Sequence, residues 1–213
     1  MFAHSPTAAR LPAFVFDLGG VLLDWNPRRL FREFFDGDPA ALETFLAEID
    51  FPAWNAELDR GRPIAEAVAD LSRRFPHYAA PLQAYHLRWE ETVLGPIQPV
   101  VGLLARLKQA GRPLFALSNW SAETFALVRA RYDFLGWFDR LVISGEIGLI
   151  KPEEAVFRTF LDLIGRRPGE CLFIDDSQAN IAAAARLGFQ TIHFLSPEQL
   201  NAELAARALL PPA

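Results

Sequence analysis

Residues Ala13-Phe14-Val15-Phe16 form an unbroken apolar run that stops at Asp17 and is followed by the turn formers Gly19-Gly20. A strand with one wet face alternates apolar and polar side chains. A continuous run bounded by turn residues instead predicts a strand covered on both faces, as in the middle of a parallel sheet. The chain must then supply layers of helix on either side, and after Pro99 its pattern does so. Helical periodicity over 100–110 leads to a strand over 114–117, a helix over 121–131 to a strand over 140–144, a helix over 152–164 to a strand over 171–174, and a helix over 178–187 to a strand over 190–194. Such repeats predict a parallel sheet with right-handed crossovers. Gly111, Gly165 and Gly188 stand where helix C-caps are expected.

The stretch from 27 to 94 has a different character. Asn26 is placed to cap a helix whose first residue is Pro27. Leu30, Phe31, Phe34 and Phe35 form one apolar stripe at helical spacing, Ile64, Val68, Leu71 and Phe75 a second, and Leu82, Tyr85, Trp89 and Val93 a third. No strand is predicted across it, and Gly95-Pro96-Ile97-Gln98-Pro99 reads as a stiff linker. The fold class is therefore α/β: a parallel-sheet core flanked by helices, interrupted after its first strand by a helical insertion. The core comprises 11–26 and 95–213, the insertion 27–94, and the first ten residues are expected to fray.

With 213 residues, 51% of them hydrophobic, the chain can bury a core of this size. A net charge of −5 without a basic cluster argues against nucleic acid and membrane surfaces as partners. The single cysteine, Cys171, suits a reducing compartment. No apolar run reaches spanning length, and the stretch 11–23 is broken by Asp17 as no signal-peptide core would be. The expectation is a cytoplasmic protein, monomeric or homodimeric, with a small molecule as its ligand.

Ligands of open parallel sheets bind beyond the carboxyl ends of the strands. The polar residues found there are Asp17 after the first strand, Ser118-Asn119 after the second, Lys151 in the loop after the third and Asp175-Asp176-Ser177 after the fourth. Each has a plain structural reading: strand-end Asp as a turn residue, Ser118 as turn chemistry, Lys151 as a solvated lysine, Asp175-Asp176-Ser177 as a helix cap. Their joint occurrence at one rim points instead to phosphoryl transfer. A carboxylate can take up a phosphoryl group and lose it to water. Further carboxylates are hard oxygen ligands for Mg²⁺, while a lysine, a hydroxyl and backbone amides hold the phosphoryl oxygens.

These residues resemble the haloacid dehalogenase-like hydrolase superfamily across the whole core. Phe14-Val15-Phe16-Asp17-Leu18-Gly19-Gly20-Val21 resembles its first motif, Leu117-Ser118-Asn119 its second, Lys151-Pro152 its third, and Phe173-Ile174-Asp175-Asp176-Ser177-Gln178-Ala179-Asn180 its fourth. The resemblance implies a Rossmann-like core with a mobile helical cap over 27–94 and Mg²⁺ as cofactor. It makes Asp17 the nucleophile and Lys151 its catalytic partner, and places Ser118, Asn119 and Gly20 on the phosphate. Asp17, the Gly19 carbonyl, Asp175 and Asp176 would hold the metal, Asp176 directly and Asp175 directly or through water. The implied activity is a Mg²⁺-dependent phosphatase of a small phosphorylated metabolite, a sugar phosphate among them, acting through an aspartyl phosphate.

Most phosphatases of this superfamily carry a second Asp two residues after the nucleophile, as general acid and base; here that position is Gly19. Proton transfer contributes about 10²–10⁴-fold, so this is a serious subtraction. The Asp-Leu-Gly pattern and the cap segment Asp59-Arg60-Gly61 are similar to a subgroup represented by α-D-glucose-1-phosphate phosphatase, and Asp24 is a candidate substitute acid. Trp25, Trp54, Glu57, Asp59 and Arg60 are candidates for specificity, with Arg60 over the polar end of the substrate and Trp120 as a wall. Phe31, Phe34, Phe35 and Trp89 are accounted for by packing. The four histidines lack metal-ligand spacing. Two alternatives share the fold. A 2-haloacid dehalogenase would act without metal, and a binding or regulatory protein would have lost turnover together with the acid at position 19.

Overall fold

The computed structural model describes residues 12–210; the expected fraying of the first ten residues, and the core limits at 11 and 211–213, lie outside the described residues. The central apolar run forms β1 (Ala13–Phe16), every residue of it buried. Its alternate side chains explain the continuous hydrophobicity. Ala13 and Val15 enter a core shared with Phe157, Phe160 and Phe173, whereas Phe14 and Phe16 enter a second core on the other face. That second core runs on without a break into Phe31, Phe45, Leu58 and Tyr85 of the helical stretch.

The chain next forms β2 (Leu23–Trp25) and five helices: α1 (Arg28–Phe31), α2 (Pro39–Glu48), α3 (Phe51–Asp59), α4 (Ile64–Arg74) and α5 (Ala79–Leu87). Pro27, not Asn26, stands at the N-cap of α1, because the helix starts one residue later than expected; Asn26 Oδ1 accepts from the Arg28 N–H at 3.0 Å just ahead of it. Leu30 and Phe31 are buried, but Phe34 and Phe35 lie on a 3₁₀ turn (Arg32–Phe35) and only partly reach the core. The chain returns through β3 (Val93–Pro96), which pairs antiparallel with β2: Leu23 faces Pro96 and Asp24 faces Gly95. This hairpin corrects the expected linker at 95–99. Strands of three and four residues carry no readable period, and Gly and Pro are depleted in strands, so only the tertiary pairing reveals them.

The βα alternation then follows as expected, with boundaries moved by a residue or two: α6 (Gln98–Gln109), β4 (Leu114–Ser118), α7 (Ala122–Arg131), β5 (Arg140–Ile143), a short α8 (Ser144–Ile147), α9 (Glu154–Ile164), β6 (Cys171–Asp175), α10 (Gln178–Arg186) and β7 (Gln190–His193). A last helix, α11 (Pro197–Ala206), lies beyond the final expected strand; it is capped by Ser196 and buries Leu200 and Leu204. Gly111, Gly165 and Gly188 have φ of +65°, +62° and +91° at or just past helix ends. The strands form a parallel five-stranded sheet of order β5-β4-β1-β6-β7. No helix among the described residues is long and apolar enough to cross a membrane.

Candidate active site

Successive strands run outward from β1 through β4 to β5, and the chain then crosses back to lay β6 and β7 on the other side of β1. The order reverses at β1, so a crevice opens beyond its carboxyl end. Asp17 is the first residue past that end. Phe16 pairs with Ala116 of β4 and Ile174 of β6, a register that brings Asp17 level with Leu117 and Asp175, one residue short of Ser118 at the end of β4.

The side chains meet. Asp17 Oδ1 accepts from Ser118 Oγ at 2.6 Å and from the Leu18 N–H at 2.7 Å. Lys151 Nζ lies 2.9 Å from Asp17 Oδ2 and 2.6 Å from Asp175 Oδ2. Asp175 also accepts from the Ser177 N–H at 2.8 Å and from Asn180 Nδ2 at 3.0 Å. Lys151 is held from behind: its N–H donates to Asn119 Oδ1 at 2.8 Å, and Asn119 Nδ2 donates to its carbonyl at 2.9 Å. Asp17, Asp175 and Asp176 each offer an oxygen within 4.8 Å of the others, a grouping suited to a hard cation. Gly20 has φ +76°, and a Cβ there would run into the Asp176 carboxylate, so glycine lets the backbone pass beside it.

Burial pushes the Asp17 carboxyl up to about 7; Lys151 and Ser118 oppose the rise, while Asp175 and Asp176 add to it. Burial works against the Lys151 ammonium, but the flanking Asp17 and Asp175 outweigh it and hold its pKa above the usual value. Two acids and one amine packed out of water are thus short of positive charge, a deficit that a cation would relieve.

Above this floor is a cavity of about 330 Å³. Asp17, Gly19, Gly20, Ser118, Asn119 and Asp176 line it from the sheet side; Trp25, Leu58, Ile64, Tyr85, Trp89 and Trp120 give it apolar walls. Asn55 and Asp59 also reach it. Tyr85 and Trp89 belong to a helical stripe that already explained them as packing, and a stripe gives a face, not the depth at which its members stop. Trp120, expected as a wall, is one.

Other expected residues lie elsewhere. The Arg60 guanidinium is ion-paired with Glu153 of the core, and Arg60 is not among the cavity-lining residues. Beside it Gly61, at φ +100°, packs on the Gly145 carbonyl, where a Cβ would come within 2.9 Å. The Ile64 N–H donates to Glu123 at 3.3 Å. Arg60-Gly61 therefore seats the helical stretch on the core, outside the lining of the cavity. Trp54 is buried in the core and Glu57 pairs with Arg62. Asp24 binds Arg29 at 2.6 Å away from the cavity.

The family description of haloacid dehalogenase-like hydrolases matches residues 11–188. A sesquiterpene phosphatase of Aspergillus oryzae is 25% identical over 85% of this chain and 88% of its own length. A drimenol cyclase of Aspergillus calidoustus is 25% identical over 90% of this chain, which spans 35% of that protein's length. A D-ribitol-5-phosphate phosphatase of Bacteroides thetaiotaomicron is 26% identical over 83% of this chain and 88% of its own. Among solved structures, a HAD family enzyme of the same bacterium superposes with a TM-score of 0.70 at 21% identity, covering 86% of this chain and 93% of that one, a likeness of fold. With four motifs converging on one crevice and the match running through nearly all of the sheet, the chain belongs to the haloacid dehalogenase-like hydrolases.

Proposed function

We propose that the protein is a Mg²⁺-dependent phosphatase of a small phosphorylated metabolite, working through phosphorylation of Asp17. The observation that carries this reading is the contact of Asp17 with Lys151 and Ser118 beside two further carboxylates. The similarity to two phosphatases supports it.

In this reading Asp17, Asp175, Asp176 and the Gly19 carbonyl hold Mg²⁺, which would offset charge on the phosphoryl oxygens. Lys151 favours the ionised form of Asp17 against the effect of burial, and neutralises charge as the carboxylate approaches the phosphoryl group. Ser118 and the Asn119 and Gly20 amides bind phosphoryl oxygens. Asp17 attacks phosphorus, the ester oxygen leaves, and water then cleaves the aspartyl phosphate. The helical stretch 27–94 acts as a cap over the core segments 11–26 and 95–213, and its apolar walls with Trp25 and Trp120 hold the organic part, a sugar ring face or a hydrocarbon skeleton.

The test is hydrolysis of an activated aryl phosphate with and without EDTA, by wild type and Asp17→Asn. Metal-dependent turnover abolished by the substitution is expected. Turnover that survives it would remove Asp17 from the mechanism, and metal-independent halide release from a 2-halo acid would make the enzyme a dehalogenase.

A further inference from the structure

Resting on that phosphatase reading, a question of proton supply remains. An ester oxygen leaving phosphorus as an alkoxide needs a proton, and the water that later attacks must lose one. Among the described residues the cavity holds three carboxyl groups: Asp17, Asp59 and Asp176. Asp17 is the nucleophile, and Asp176 belongs to the acidic group on the floor. No side chain from position 19 enters, and Trp120 and Trp25 lie in ordinary contact range, 3.6 and 3.9 Å from where a Cβ would stand.

Asp59 closes helix α3 and reaches the cavity from the helical side, between Leu58 and the turn that seats Gly61 on Gly145. Its carboxyl is held rather than loose. Asn55 Nδ2 donates to Oδ2 at 3.0 Å, and Asn55 Oδ1 in turn accepts from the Tyr85 hydroxyl at 2.8 Å. Asp59 makes no ion pair among the described residues. Nearby charges are engaged elsewhere: Arg60 with Glu153, Glu57 with Arg62, Lys151 with Asp17 and Asp175. Leu58, Ile64 and Trp89 line the same cavity with apolar surface.

We propose that Asp59 is the acid and base of the reaction. As Asp17 forms its bond to phosphorus, the bond from phosphorus to the ester oxygen breaks, its electron pair stays on that oxygen, and the Asp59 proton moves there to release the alcohol. The Asp59 carboxylate then takes a proton from water as the water oxygen attacks the phosphorus of phospho-Asp17. The bond to Asp17 breaks, inorganic phosphate leaves, and both aspartates return to their starting states. Burial holding the Asp59 carboxyl up to about 7, against Lys151, Asn55 and the Ser121 N–H, fits a group that must do both.

The experiment compares wild type and Asp59→Asn, with Mg²⁺, on p-nitrophenyl phosphate and on 2-phenylethyl phosphate, whose leaving group is a poor one. Nitrophenolate leaves without a proton, so stopped-flow should show Asp59→Asn releasing about one equivalent per site in a burst at the wild-type rate. A steady state slower by about 10²-fold or more should follow, because the phosphoenzyme lacks its base. On the phenylethyl ester kcat/KM should fall by about 10²–10⁴-fold with no burst of alcohol. The burst itself counts folded sites. Equal losses on both esters without a burst, or unchanged turnover of both, would overturn the assignment alone. A wild type that hydrolyses neither ester would overturn the phosphatase reading and this assignment with it.

Discussion

Asn119 and Lys151 bind each other through a reciprocal pair, with Asn119 Oδ1 accepting from the Lys151 N–H and Asn119 Nδ2 donating to the Lys151 carbonyl. The Asn119 side chain is thus spent on aiming the lysine. Asn119→Ala should leave two partly buried backbone groups unpaired, costing about 1–3 kcal/mol in urea unfolding, and should lower kcat/KM through a misplaced ammonium.

Lys151 has no exposed side-chain surface and is the cation between two acids. Removing one partner of a buried charge group costs about 3–5 kcal/mol, so Lys151→Met should lower stability by that order in EDTA. It should also raise the Asp17 pKa further and abolish turnover. Urea denaturation and steady-state assays check both.

Asp17→Asn should separate stability from activity. It removes a buried carboxyl crowded by Asp175 and Asp176 while leaving Lys151 its contact with Asp175. The expected Tm in EDTA is equal to or above that of wild type, with activity lower by 10³-fold at least, on the order of a nucleophile deletion.

The pH dependence of the metal-free protein has a definite sign at Asp59. Its pKa is about 7 folded against an ordinary carboxylate value unfolded, so the folded state binds the extra proton between the two. Its contribution to stability is present at low pH and is lost as pH rises through about 7. Tm in EDTA should therefore decline from pH 5 to 8 by less in Asp59→Asn than in wild type.

Gly20 passes beside Asp176 with φ +76° and no room for a side chain. Gly20→Ala must displace the backbone or the carboxylate, so Mg²⁺ titration of activity should shift to higher concentration, by about 10–100-fold if the ligand's setting is lost.

Much of this was legible in the sequence. The unbroken apolar stretch Ala13–Phe16 and the acids and hydroxyl at strand ends placed Asp17, Ser118, Lys151 and Asp175 on one rim, because a parallel sheet leaves those residues no other side. The hairpin of β2 and β3 was hidden, since its pairing joins residues far apart in the chain through segments too short to have a period. Arg60 looked like a ligand group because charge next to glycine in a cap reads that way; its partner Glu153 lies 93 residues on, beyond any local pattern. Trp89 and Tyr85 satisfied a packing stripe, which conceals the fact that they also wall the cavity.

The ribbon at Leu23–Trp25 and Val93–Pro96, extended by the Asn26 N–H to Thr92 carbonyl bond of 2.7 Å, brings the departing and returning chain side by side. Whatever is strung between those two points leaves and rejoins the core segments of the chain at one narrow base. Lengthening or shortening the excursion away from the Asp59 turn would leave the spacing of the rim residues untouched, so a lineage could retool what the enzyme accepts while Asp17 and its neighbours on the sheet stayed fixed.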